Sequence, residues 1–249
     1  ANHVPEKSDI MVERLEQRGA IVMGKSNVPE FGAGGNSFNE VLGVSRNPWN
    51  QQRSPGGSSG GSAAALAAGQ VPIATGSDLG GSLRIPASFC GIVGFRPSPG
   101  VVAKGPDAAC FNDMSVAGPM ARNVPDTALM LDAMAGTDYR DPLSRPKPVV
   151  PYLDDVMTVL GDGSVPRRIG YSPDLGVGPV DAEVDAICRA ATERFAELGT
   201  EVTSADLDLS DGPEAFHTFR GIGFAAGHED HLELPPGQLK PENIWNIKK

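Results

Sequence analysis

Residues 54–65 read Ser54-Pro55-Gly56-Gly57-Ser58-Ser59-Gly60-Gly61-Ser62-Ala63-Ala64-Ala65, and residues 76–86 return to the theme as Gly76-Ser77-Asp78-Leu79-Gly80-Gly81-Ser82-Leu83-Arg84-Ile85-Pro86. Composition alone makes the first stretch a flexible linker. Context argues otherwise. The first turn runs into the small residues Ala63 to Ala68, so a helix over Ser59 to Gly69 can pack tightly against a sheet. A short strand at Ile73 to Thr75 then leads into the second glycine-serine turn, which again opens into a helix, here expected to begin at Ser82. Two such turns can bring two hydroxyls together.

Working outward, Ser8 is placed to cap a helix with Met11, Val12 and Leu15 on one face and Gly19 as its stop, and Ala20 to Met23 reads as a short buried strand. From Gly24 to Gly57 the chain is rich in Gly, Asn, Pro and Ser, with Asn47-Pro48-Trp49-Asn50 as a turn. Long ordered loops of this kind are usually functional. Downstream, helices are expected from Asn123 to Ala135, with Gly136 as stop, and from Asp181 to Leu198, ended by Gly199. Strands at Ile92 to Phe95, Arg168 to Tyr171 and Glu201 to Thr203 lie between the helices. The alternation predicts an α/β fold with a mixed or mainly parallel sheet. One domain is expected over 1–249, with its motif region at 20–136, an extended proline-rich connector at 140–151 and an α/β portion at 165–249. The polar stretch from Leu234 to Lys249 shows no stop signal.

Composition narrows the function. With 249 residues the chain can bury a sizeable core. Its 31 glycines and 22 prolines favour a site built on loops over a helical bundle. A formal net charge of −10 argues against phosphate backbones and anionic membranes, which need concentrated Lys and Arg. No run approaches the about 18 consecutive apolar residues of a membrane span. Three cysteines, Cys90, Cys110 and Cys188, have no paired spacing and read as reduced thiols of a cytoplasmic protein.

Both turns, the twenty-four positions between Ser58 and Ser82, Gly24-Lys25-Ser26-Asn27, Pro29-Glu30-Phe31, Asn47-Pro48-Trp49 and Gly118-Pro119-Met120-Ala121-Arg122 together resemble the amidase signature family. The resemblance runs from about Ser8 to Pro142. It implies an α/β/α sandwich around a central mixed sheet, here incomplete at both ends, and an amidase that needs no cofactor. It further implies that Ser82 attacks the amide carbonyl, and that Ser58, following a cis peptide, relays the proton between a neutral lysine and the leaving amine. The backbone amides of Leu79, Gly80, Gly81 and Ser82 would form the oxyanion hole, where glycine lets the substrate oxygen approach closely. Asp78 is expected to brace that loop, Ser59 to support it, and Arg84 to support it or to face a substrate carboxylate. The family's catalytic lysine would precede Ala1. Lys25 belongs to the separate Gly-Lys-Ser-Asn segment, for which a structural role is expected. The expected partners are a small-molecule amide and either a second copy or the remainder of the same enzyme; an amidotransferase subunit is the alternative.

Several motifs compete. Gly19 to Ser26 matches the phosphate-loop pattern letter for letter, yet its apolar strand lies between the two glycines and Pro29 interrupts any helix after Ser26. Gly57-Ser58-Ser59-Gly60-Gly61 fits a nucleophile elbow, but Ser54-Pro55-Gly56 cannot be a central strand. Ser144-Arg145-Pro146-Lys147 lacks the helix that would align its Ser and Lys. His228-Glu229-Asp230-His231 reads as a solvated polar surface, and no metal is assigned.

Overall fold

The computed structural model describes residues 4–105 and 110–249. The chain opens with helix α1, Ile10–Gln17, capped not by Ser8 but by Asp9, whose carboxylate accepts the Met11 amide at 2.9 Å. A carboxylate at that position answers an orphan first-turn donor and the positive helix end together. Ala20 to Met23 does not form the expected buried strand. The segment is extended and unpaired, with Ile21 85% and Met23 80% exposed, because no neighbouring strand among the described residues takes up its amides and carbonyls.

A small hairpin follows, β1 at Phe38–Asn39 paired antiparallel with β2 at Gly43–Val44. Asn47 and Asn50 then bracket the expected turn. Helix α2, Gly60–Ala67, leads through Gly69, whose φ of +71° only glycine adopts readily, into β3 at Ile73–Asp78. Helix α3 is Arg84–Cys90 and β4 is Val93–Gly94. Ser82 is therefore not the first residue of a helix. It lies in the turn before α3, because the Asp78 carboxylate accepts the amides of Gly81 and Leu83 and holds that turn open. Strand β5, Val116–Ala121, pairs antiparallel with both β3 and β4.

Helix α4, Val124–Met134, has Asn123 as its cap and Pro125 in its first turn. Helix α5, Tyr152–Asp162, starts directly after the proline-rich connector. Strands β6, Arg168–Tyr171, and β7, Glu201–Ser204, flank helix α6, Ala182–Glu197, and are paired in parallel. Helices α7, Gly212–His228, and α8, Pro241–Lys248, complete the chain, so the polar tail carries a helix that its sequence did not announce. The fold is mixed α/β, and the sheet that carries the site is antiparallel rather than mainly parallel; the parallel pair is β6 with β7.

Two apolar clusters hold this frame. Leu15, Val102, Met130, Leu131 and Met134 join α1 to α4. Ala63, Leu66, Leu83, Cys90 and Met120 join α2, α3 and β5. Leu83, the residue after Ser82, is wholly buried on a floor made by three strands. A Cβ at Gly76 of β3 or at Gly118 of β5 would stand 2.7 Å from a Leu83 methyl, and one at Gly94 of β4 would stand 2.4 Å from its carbonyl oxygen. Gly76 and Gly118 are opposite one another across the ladder. The bare backbone lets Leu83 sink and thereby fixes where Ser82 stands.

Candidate active site

The segment before α2 and the segment after β3 meet main chain to main chain. The Ser59 amide donates to the Ser82 carbonyl at 3.3 Å. Ser59 Oγ accepts the Ser77 amide at 3.2 Å and donates to the Ser77 carbonyl at 3.3 Å, tying the start of α2 to β3. The Gly57–Ser58 peptide is cis and Ser58 is buried, whereas Ser82 is half-buried. Neither hydroxyl is hydrogen-bonded to the other or to another group among the described residues.

Glycines at 57, 60 and 61 admit a strap formed by the earlier loop. A Cβ at Gly57 would fall 2.7 Å from the Asn36 nitrogen, one at Gly60 2.4 Å from Ser37 Oγ, and one at Gly61 2.4 Å from the Asn27 nitrogen. Ser37, which the sequence did not single out, is 1% exposed; its Oγ donates toward the carbonyls of Gly56 at 3.2 Å and Ser58 at 3.0 Å and accepts the Gly60 amide at 2.9 Å. No signal in Gly34-Gly35-Asn36-Ser37 marks it out, because its role depends on which turn lies beside it. Ser26 Oγ lies 2.9 Å from Ser62 Oγ, and the Asn27 carbonyl accepts the Gly61 amide at 3.1 Å. The Gly-Lys-Ser-Asn segment thus braces α2 through Ser26 and Asn27, while Lys25 is exposed. Among the described residues no strand precedes it and only the three-residue 3-10 turn Glu30–Gly32 directly follows, so the phosphate-loop geometry is not formed.

Asp78 is the electrostatic centre of the second turn. Wholly buried, it accepts the amides of Gly81 at 2.8 Å and Leu83 at 3.2 Å, and two hydrogen bonds from Arg84, both 3.0 Å. Arg96 adds an ion pair at 3.2 Å and also donates to the Asp78 carbonyl and, at 3.0 Å, to that of Met114. Burial alone would raise the Asp78 carboxyl; the Arg84 hydrogen bonds and the two amides outweigh it and hold the group below the usual carboxylate range. Arg84 is thus engaged by Asp78, and Arg96, which no sequence motif marks, is the second counter-charge. The Gly81 amide, expected in the oxyanion hole, is taken up by Asp78, whereas the amides of Gly80 and Ser82 meet no acceptor among the described residues. One carboxylate facing two guanidinium groups leaves the turn with an excess of positive charge beside these amides, a setting that favours a developing oxyanion.

A cavity of about 230 Å³ lies among Asn36, Ser37, Ser45, Arg46, Arg53 and Ser54 and includes neither Ser58 nor Ser82. His228 stacks on Phe31, ring centres 4.4 Å apart, and His231 stands 5.1 Å from the same ring. These histidines are half-buried against Phe31, which reaches across from the loop, while Glu229 and Asp230 between them are exposed, so the expected solvated surface holds for the two acids and not for the imidazoles. Among the described residues no three His, Cys, Asp or Glu side chains gather as a metal site would need.

A small-residue helix, two glycine-serine turns joined at Ser59 and Ser82, and a cis peptide before Ser58 form one unit. The sequence profile of the Amidase family matches residues 1–231. The chain belongs to the amidase signature family. It is 43% identical over 233 residues to an acylamidase of Rhodococcus erythropolis, covering 92% of this chain and 47% of that protein. It is 42% identical over 208 residues to a glutamyl-tRNA(Gln) amidotransferase subunit of Anaeromyxobacter sp. (strain K), covering 84% and 42%. A crystal structure of a bacterial aryl acylamidase of the amidase signature family superposes on all of this chain and 52% of that one, with a TM-score of 0.86 and 29% identity. The chain spans about half the length of the relatives it matches.

Proposed function

We propose that this chain carries the nucleophile-bearing part of an amidase that hydrolyses a carboxylic acid amide to acid and amine through an acyl-Ser82 intermediate. The observation that carries the reading is the Ser59 to Ser82 main-chain bond, which holds the cis-linked Ser58 beside the turn that presents Ser82. In the proposed reaction Ser82 Oγ attacks the amide carbonyl while its proton passes by way of Ser58 Oγ to the leaving nitrogen. The C–N bond breaks, the amine departs, and water then cleaves the ester by the same route in reverse. The amides of Gly80 and Ser82 receive the oxyanion, with Leu79 on the same loop. Asp78, Arg84 and Ser59 position the turn.

A proton acceptor for Ser58 is the group the described residues do not place at the site: neither serine is bonded to a lysine, and Lys25 is exposed. We infer that a lysine outside the segment completes the relay. On that reading the segment alone keeps binding and oxyanion stabilisation, worth on the order of 10³–10⁴ over water in the unrelated Ser-His-Asp proteases. A fluorophosphonate applied to the purified chain, with peptide mass spectrometry of any adduct, tests this. The expected result is no stoichiometric adduct at Ser82, and labelling restored when the amidase remainder is supplied. Stoichiometric labelling of the segment alone would overturn the incomplete-relay reading, and absence of labelling in the completed enzyme would overturn Ser82 as nucleophile.

Likeness to the glutamyl-tRNA(Gln) amidotransferase subunit supports a second reading, in which the same acyl-serine step releases ammonia for a partner protein. The three free thiols and the lack, among the described residues, of a helix long and apolar enough to cross a membrane support a cytoplasmic placement.

A further inference from the structure

Helix α7 lays an aromatic ring against the turn that carries Gly80 and, one turn further on, carries a cation that meets no carboxylate among the described residues. A Cβ at Gly80 would stand 2.9 Å from Phe216 Cζ, so the ring edge rests directly on the turn. Arg220 follows on the same face. Its guanidinium carbon lies 4.9 Å from the centre of the Phe224 ring and 6.0 Å from that of Phe216. Its Nε donates to Asn246 Oδ1 at 2.8 Å, and Asn246, buried on α8, is itself held by a 2.7 Å bond from its Nδ2 to the Glu242 carbonyl. The guanidinium is therefore oriented, yet its two terminal nitrogens have no partner among the described residues.

Some other arginines of this chain are paired. Arg14, Arg84, Arg96 and Arg140 each meet a carboxylate within 3.6 Å. Arg220 meets none among the described residues, and burial without a counter-charge pulls its pKa below the ordinary arginine value. A half-buried, half-satisfied guanidinium is unfavourable unless something else completes it. Two parallel N–H groups on one edge fit a carboxylate in bidentate fashion.

We propose that Phe216 and Arg220 form a substrate subsite beside the oxyanion turn, in which Arg220 pairs with a carboxylate borne by the amide and Phe216 covers the apolar stem between that carboxylate and the scissile bond. The inference rests on Ser82 being the nucleophile, and it assigns the enzyme a preference for amides of dicarboxylic or amino-carboxylic acids over uncharged amides.

Calorimetric titration of the Ser82→Ala chain, which cannot turn over, tests it with three probes: the monoanilide of glutaric acid, N-pentanoyl-4-aminobenzoate and uncharged pentananilide. The first carries the carboxylate on the acyl side and the second on the amine side, so the tighter of the two reports which side Arg220 reads. At least one charged probe should bind tenfold or more tightly than pentananilide. Arg220→Gln should abolish that ratio without weakening pentananilide, and Arg220→Lys should retain part of it. Equal binding of all three probes, no saturable binding of either charged one, or a ratio unchanged in Arg220→Gln overturns the subsite. Loss of pentananilide binding in both Arg220 variants would show a structural role instead and also overturn it. Charged-probe binding that depends on Arg220 in an enzyme whose Ser82 never labels would leave the subsite standing and remove the proposed function.

Discussion

The Ser59 amide donates to the Ser82 carbonyl at 3.3 Å, so two turns twenty-four positions apart in the chain are joined through backbone and not through the hydroxyls of Ser58 and Ser82. Both hydroxyls are left uncommitted. Ser58→Ala and Ser82→Ala should each shift stability by less than about 1 kcal/mol, the worth of one ordinary hydrogen bond. Urea denaturation checks this; a larger loss in either variant would mean that its hydroxyl is structural.

Gly76→Ala should do what those variants do not. The new methyl would fall 2.7 Å from both Ser59 Oγ and Leu83 Cδ2 and 2.9 Å from Met120 Sδ. Overpacking of this kind costs about 1–3 kcal/mol. Since Leu83 seats Ser82, the completed enzyme carrying Gly76→Ala should also label more slowly with fluorophosphonate. Wild-type labelling with reduced stability would show that the turn tolerates displacement of its anchor.

Asp78→Asn removes the negative charge, and one of the two acceptor oxygens, that Arg84, Arg96 and the amides of Gly81 and Leu83 share. Charged hydrogen bonds contribute about 1.5–3 kcal/mol, and the lower part of that range applies because Arg84 is more than half exposed. The sign with pH follows from the depressed carboxyl: its stabilisation is present above the ordinary Asp value of 3.8 and is lost as pH falls through the lower folded value. Wild-type and Asp78→Asn denaturation midpoints should therefore converge in acid below pH 3.8 and separate above it. A constant difference across that range would contradict the ionised state.

Arg14 ties α1 to the end of α4 by donating to the carbonyls of Met134 at 3.1 Å, Gly136 at 2.7 Å and Thr137 at 2.9 Å. The Met134 carbonyl is one that α4 leaves unsatisfied at its C-terminus, those of Gly136 and Thr137 lie just past the cap, and a cation there is also favoured by the dipole. Arg14→Leu should lower stability by about 1.5–3 kcal/mol. Beside it, Arg140 holds the Asp138 carboxyl down to about 2 through its hydrogen bonds. That contribution is complete above 3.8 and fades toward pH 2, so Asp138→Asn should match wild type at pH 2 and fall behind it at neutral pH. An Arg14→Leu midpoint equal to that of wild type would show that water replaces the guanidinium at no cost.

Periodicity and caps suffice to place α4 and α6, since Asn123 and Asp181 both cap in place. They fail for α7, whose glycines at 212, 221, 223 and 227 lower its intrinsic helix propensity, and for α8, which is short and polar. Ala20 to Met23 departs from its expected burial because an apolar run looks buried in one dimension, whereas a strand exists only where another strand completes its hydrogen bonds.

By itself the sequence determined the two glycine-serine turns, the small-residue helix between them, and through these the family. Those features are local: backbone freedom at glycine, small side chains and fixed spacing are legible one residue after another. Tertiary structure alone decided that Asp78 gathers Arg84 with Arg96, that Ser37 straps Ser58, that Gly81 is withdrawn from the open amides, and that Phe216 and Arg220 stand against Gly80. Each of these joins residues from separate segments, and a contact across the fold depends on how sheet and helices close on one another, which no stretch of chain encodes alone.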